Sequence, residues 1–287
     1  MRKWTITSIM TMVLMVALVG VMAWGLINRE WIVDYVRSVS YRPSSEMARI
    51  RDDLKLTSEG EFLFNAVQPQ LNERESFNNI CRAAVDVEVA VLGCYTGGNV
   101  YVFNIENEEL DGIRELTTAH ELLHANWARM DDKEKTDLKA SLEKVYYDNK
   151  DVLEEDLATY DESERLEELY VRAGTEVAKL PTDLEKHYAE IFSNQDLIVG
   201  FYNKYIKAFK EIETEMESLK AEMKSIEAEI DAKKIEFERE PTWDLYYEIN
   251  NLVAEYNARV EKYNADIEKH EMLDQMMNSR AKVEGVE

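Results

Sequence analysis

The run Ala119-His120-Glu121-Leu122-Leu123-His124 gathers residue types that hold and use a metal ion, and it takes two of the four histidines in the chain. On an α-helix, positions four apart lie about 40° apart around the axis and about 6 Å along it, so the imidazoles of His120 and His124 can converge on one cation. Glu121 flanks that point without being a ligand, which is the place of a general base beside a zinc-activated water. The pattern points to Zn2+ as cofactor, with His120 and His124 as metal ligands and Glu121 as the catalytic carboxylate. The alternative is a helix whose two histidines are ordinary core or surface residues.

Several elements must position these groups. Leu116 to Met130 contains neither Gly nor Pro, and Leu116, Ala119, Leu123 and Trp127 recur at helical spacing, so a helix is expected with one buried face and the histidines on or beside it. Ahead of it, Val87 to Tyr95 and Asn99 to Ile105 are rich in β-branched and aromatic residues around Thr96-Gly97-Gly98, a strand-turn-strand signal. Ser58 and Glu61 have the spacing of a capping box, which predicts a helix through Phe62 to Val67 ending before Pro69. Thr182 and Glu185 repeat the pattern and start a helix that contains His187 and Tyr188.

Composition excludes some partners and suggests a compartment. A net charge of −24 and a pI near 4.6 argue against nucleic acid, whose phosphates would be repelled. The acidic runs read as solvated helix faces. Met1-Arg2-Lys3 precedes an uncharged, mainly apolar stretch from Trp4 to about Ile27, long enough for a lipid bilayer, with the cationic residues favouring a cytoplasmic N-terminus. An uncleaved signal anchor over residues 1–28 is expected, a cleaved signal peptide being the alternative; either leaves the bulk of the chain extracytoplasmic. Cys81 and Cys94 are the only cysteines, and an oxidising compartment would let them bridge; two buried free thiols are the alternative.

The histidine segment resembles the zinc-binding motif of the zincin metallopeptidases. In that group a strand at the edge of a small sheet precedes the histidine helix and holds an extended peptide by strand addition, a place that Asn99 to Ile105 would occupy. The chain lacks the Gly and third His that follow the motif in metzincins, so the resemblance implies a gluzincin-like site whose third ligand is a glutamate on a later helix. Glu168, six residues before Gly174, matches best, with Arg172 standing where an Asp is usual; Glu176 is the second choice and Glu167 the third. Zincins also use a Tyr, His or Arg to hold the oxyanion, for which Tyr170, Arg172, His187 and Tyr188 are candidates, Tyr170 and His187 foremost. Together with Tyr41-Arg42-Pro43-Ser44, Leu92-Gly93-Cys94-Tyr95 and Gly174-Thr175-Glu176, the motif looks like that of poorly characterised, membrane-anchored bacterial proteins, a resemblance spanning about residues 40 to 200.

The last third differs in kind. Tyr205, Phe209, Ile212, Met216, Leu219, Met223, Ile226 and Ile230 alternate steps of three and four, a coiled-coil seam. Glu240-Pro241-Thr242 interrupts it, Thr242 can cap a new helix, and Leu245, Ile249, Leu252, Tyr256, Val260, Tyr263 and Ile267 line one face of that helix. An antiparallel helical hairpin over 201–280 follows, open to homodimerisation or to an envelope partner. The expected fold class is α+β and predominantly helical: an anchor over 1–28, a zincin-like domain with a small sheet over 40–200, and the hairpin. Two functions fit: a membrane-anchored zinc peptidase acting on a peptide or protein, or a non-catalytic envelope scaffold acting through its hairpin.

Overall fold

Residues 6–81, 92–158 and 160–278 are described by the computed structural model of the chain. The apolar N-terminal run forms α1 (Ile6–Ile27), which breaks at Asn28 into α2 (Arg29–Ser40). Two short helices follow, α3 (Ser45–Asp53) and α4 (Ser58–Val67), then β1 (Gln70–Asn72), α5 (Arg74–Cys81), β2 (Gly93–Thr96) and β3 (Asn99–Phe103). The remainder is helical: α6 (Ile113–Trp127), α7 (Asp132–Asp148), α8 (Lys150–Leu157), α9 (Glu162–Glu176), α10 (Thr182–Tyr188), α11 (Gln195–Arg239) and α12 (Trp243–Met277). Among the described residues the protein is thus predominantly helical with a small three-stranded sheet, as the periodicities imply.

Among the described residues, no single helix is long and apolar enough to cross a membrane; α1 and α2 meet that test only as a pair bent by 73°. Trp4 and the cationic Arg2 and Lys3 lie outside the described residues, as do positions 87–91 of the expected first strand.

The sheet has the order β1-β3-β2. β2 and β3 pair antiparallel, Thr96 opposite Asn99, across Gly97 and Gly98, whose φ values of 58° and 77° suit a primed hairpin turn. β1, not foreseen from its three residues, adds in parallel on the other side. One expectation is corrected here: Asn99–Phe103 is the central strand, and β2 is the edge strand beside the histidine helix. Two caps also shift by one residue. Thr57, not Ser58, caps α4, accepting from the Gly60 N–H at 3.1 Å while donating to the Glu190 carbonyl. Thr182 is the first helical residue of α10, because Pro181 supplies the carbonyl that accepts from the Glu185 N–H.

α6 runs through the main core, with Ala119, Leu122, Leu123 and Ala125 fully enclosed. Its partner is α9, and Gly174 sets their approach: a Cβ there would lie 2.5 Å from Leu123 Cδ1 and 2.7 Å from Tyr188 Cε1. A second core joins Phe77, Phe103, Leu110 and Leu116 to Ile212 and Leu273 of the long helices, and it encloses the Cys81–Cys94 disulfide. The long helices run antiparallel, as Lys262 to Glu215, Arg259 to Glu222 and Lys233 to Glu248 show. Thr242 caps α12 as expected, accepting from the Leu245 N–H. The boundary expected after residue 200 falls inside α11, whose Ile198 and Val199 are buried in the body of the protein.

Candidate metal centre

The helical stripe of Leu116, Ala119, Leu123 and Trp127 is buried, which leaves His120 and His124 at the edge of the core rather than in it. Their rings lie edge to face with centroids 5.0 Å apart. α9 delivers Glu168 between them: its Oε1 is 3.8 Å from His120 Nε2 and its Oε2 is 3.4 Å from His124 Nε2. One ligand atom from each of the three residues lies within 4.8 Å of the other two. The three residues form a buried group that could hold a metal ion.

The donor chemistry supports that fit. Two imidazole nitrogens and a carboxylate oxygen are ligands a divalent cation takes while keeping a position open to water. Glu168 is almost wholly buried, and its Oε2 has no hydrogen-bond partner, an arrangement that costs free energy unless a cation satisfies it. The other oxygen is held by Arg172, Nε to Oε1 at 2.7 Å. Burial would raise the Glu168 pKa, but the neighbouring His120, His124 and Arg172 outweigh it and hold the carboxyl below the usual range. Burial lowers the pKa of His120. It opposes the charge on His124 too, yet the hydrogen bond to Glu167 and the nearby Glu168 carboxylate raise that imidazole above its ordinary value.

The remaining carboxylates fall into distinct places. Glu167 meets His124 from behind, Oε1 to Nδ1 at 2.8 Å, so it orients the ring and leaves Nε2 facing Glu168. Glu176 lies two turns beyond Glu168 on α9 and accepts from Arg172 NH1 at 3.0 Å, outside the group that could hold a metal ion. Glu121 points toward the sheet. It is buried against β2, where a Cβ on Gly93 would come within 2.6 Å of both Glu121 Cγ and Oε1. Burial pushes its carboxyl up to about 7, opposed by the charge of His124 and by a hydrogen bond from the Tyr95 backbone.

Tyr170 and His187 do not reach this group. Tyr170 is two residues from Glu168 and so points to the opposite side of α9, about 200° around the axis. Its hydroxyl accepts from Asn126 at 2.8 Å and lies 3.0 Å from His187 Nε2, beside a separate polar pocket lined by His187, Asn126, Arg129, Glu134 and Glu190. Tyr188 is equally remote, donating to the Tyr170 carbonyl. Of the four residues considered for the oxyanion, only Arg172 stands beside the ligands.

The tyrosine that does approach them is Tyr160, ahead of α9. It hydrogen-bonds the Arg172 side chain, and its pKa is raised by burial and by the fields of Glu168 and Glu121. Nothing in its sequence position marks it apart from lying just before the Asp161 cap of the glutamate-bearing helix.

Comparison of the chain with protein-family models, with curated proteins and with solved structures gives no match.

Proposed function

We propose that this protein is a membrane-anchored, extracytoplasmic zinc peptidase with a cytoplasmic N-terminus, whose zinc is held by His120, His124 and Glu168. The observation that carries this reading is the convergence of a carboxylate from α9 on the two α6 imidazoles, with a buried glutamate one residue from the first of them. Bound zinc would supply a Lewis acid and lower the pKa of a coordinated water to about 7.

The chain's own groups do the rest. Glu121, with a carboxyl poised at about 7, takes the proton of the attacking water on a carboxylate oxygen and returns it to the leaving amine. Glu167 fixes His124, and Arg172 fixes Glu168. β2 offers an edge along which an extended peptide can lie in reach of Glu121. Tyr160 and Arg172, which stand beside Glu168, would be the donors to a developing oxyanion.

The test is the metal content and proteolysis of purified full-length protein beside its Glu121→Gln variant. We expect about one zinc per chain in both, with turnover of a peptide library falling about 10²- to 10⁴-fold in the variant. A zinc-loaded protein that cleaves nothing, and a variant that changes no phenotype, would refute catalysis.

A second reading, an envelope scaffold acting through the helical hairpin, draws on the tip of that hairpin. There Trp243, Tyr246 and Tyr247 cluster in solvent, Trp243 at 75% exposure. The same experiment separates the two.

A further inference from the structure

Helix α2 is amphipathic in the wrong sense for a helix that packs on a protein core. Asp34 and Arg37 face the body. Asp34 receives a two-pronged ion pair from Arg129 at the end of the histidine helix, with distances of 2.7 and 3.0 Å. Arg37 donates to the Ala66 carbonyl at 2.7 Å and to the Gly98 carbonyl at 2.9 Å, and it also bonds the Asn99 side chain. Apart from the half-buried Ile32, the apolar residues of α2 face away. Trp31, Val33, Tyr35, Val36 and Val39 are each between 47% and 56% exposed, and no residue of the helix is fully buried. Trp31, Tyr35 and Val39 are spaced by four along that outer side, and the Trp31 and Tyr35 rings stack at 5.4 Å.

We propose that the outer face of α2 seats on a lipid surface, so that α1 and α2 together form a stem and a foot. This rests on the reading of α1 as a membrane anchor. Three observations select lipid over other occupants. The face continues directly from the apolar α1, and a helix at 73° to one standing along the bilayer normal lies nearly in the plane of the surface. Tryptophan and tyrosine are the residues that favour the headgroup region, where an apolar ring and a polar edge are both accommodated. Charge agrees: residues 28–44 carry three arginines against two acids, net +1, whereas residues 45–287 sum to −27 in a chain of −24. An anionic surface repels the acidic body and tolerates this segment.

The consequence for the metal centre is positional. Asp34 and Arg37 tie the foot to the end of α6, the helix that carries Glu121, and to the turn of the hairpin whose β2 packs on Glu121. The cleft is therefore held at a fixed height and tilt above the bilayer, and its natural substrate is a chain segment presented close to the membrane surface.

The full-length protein, its native disulfide intact, is reconstituted into phosphatidylglycerol/phosphatidylcholine vesicles. A nitroxide is carried at Val36→Cys, Val39→Cys or, as a solvent reference in α7, Lys139→Cys; all three positions are exposed, so the labels leave the core untouched. We expect the ratio of accessibility to oxygen over that to a water-soluble nickel chelate to be several-fold higher at 36 and 39 than at 139. If the protein floats with the vesicles but all three sites are equally wet, the foot is wrong while the anchor stands. If it does not float, both fall. Dipolar broadening between labels on separate copies, undiminished by lipid dilution, would show that a second copy covers this face and would also overturn the proposal.

Discussion

Glu167 and Glu168 are adjacent in sequence and opposite in use, because successive helical positions are turned by about 100°. Glu168 enters the space between the imidazoles, while Glu167 reaches around to His124 Nδ1. Replacing Glu167 by Ala should keep zinc stoichiometry but weaken affinity about 10- to 100-fold, measured by competition with a chromophoric chelator, since the ring loses its orienting acceptor. Gly93 makes a different contribution. A Gly93→Ala methyl group would collide with Glu121 and with Thr117 Cγ2 at 2.7 Å, and the carboxylate is the side that can move. Its expected signature is a kcat loss with zinc content unchanged, read by parallel metal analysis and peptide turnover.

Between elements, the spacing of α6 and α9 decides whether the ligands meet. Gly174 lies where Leu123 and Tyr188 touch α9, leaving no room for a side chain. Gly174→Val should force the helices apart, destabilise the fold by about 1–3 kcal/mol and abolish stoichiometric zinc binding. Denaturant melts with and without added zinc check both. In the parent protein zinc should raise the melting temperature, by about 2.7 kcal/mol of stabilisation at a hundredfold excess over the dissociation constant; in the Gly174→Val protein it should have little effect.

At the scale of the whole molecule, the long helices divide into an inner part that belongs to the body and an outer part that does not. Ile212 and Leu273 pack into the core around the Cys81–Cys94 bridge, Ile198 lies in the main core, and Val199 is buried beside it in sequence. Further out, Trp243, Tyr246 and Tyr247 project into solvent. Removing everything from Tyr202 onward should therefore destabilise the protein and cost it zinc. Shortening the hairpin between Glu222 and Arg259, with a turn joining the cut ends, should preserve zinc and the melting transition. Circular dichroism with metal analysis distinguishes the two truncations, and partner binding lost in the shortened protein while zinc and the melting transition are kept would assign that role to the tip.

Local sequence determined what depends on near neighbours along the chain. The histidine pair and Glu121, the buried stripe of α6, the β2–β3 turn at Gly97-Gly98, the cap at Thr242 and the seam of α11 and α12 each follow from helical or strand periodicity and short-range sterics. Glu168 was legible too, although its choice over Glu176 and Glu167 rested on resemblance rather than on any local signal. Tertiary structure alone decided the rest, because those features depend on which faces meet. It turned Tyr170 and His187 away from the His120–His124–Glu168 group and brought in Tyr160. It made β2 the edge strand by adding a distant three-residue strand in parallel beside β3. It placed Glu121 against a glycine far from it in sequence, and it set the outward apolar face of α2 against polar ties to the body. Periodicity states that a helix has two faces; only packing states what each face touches.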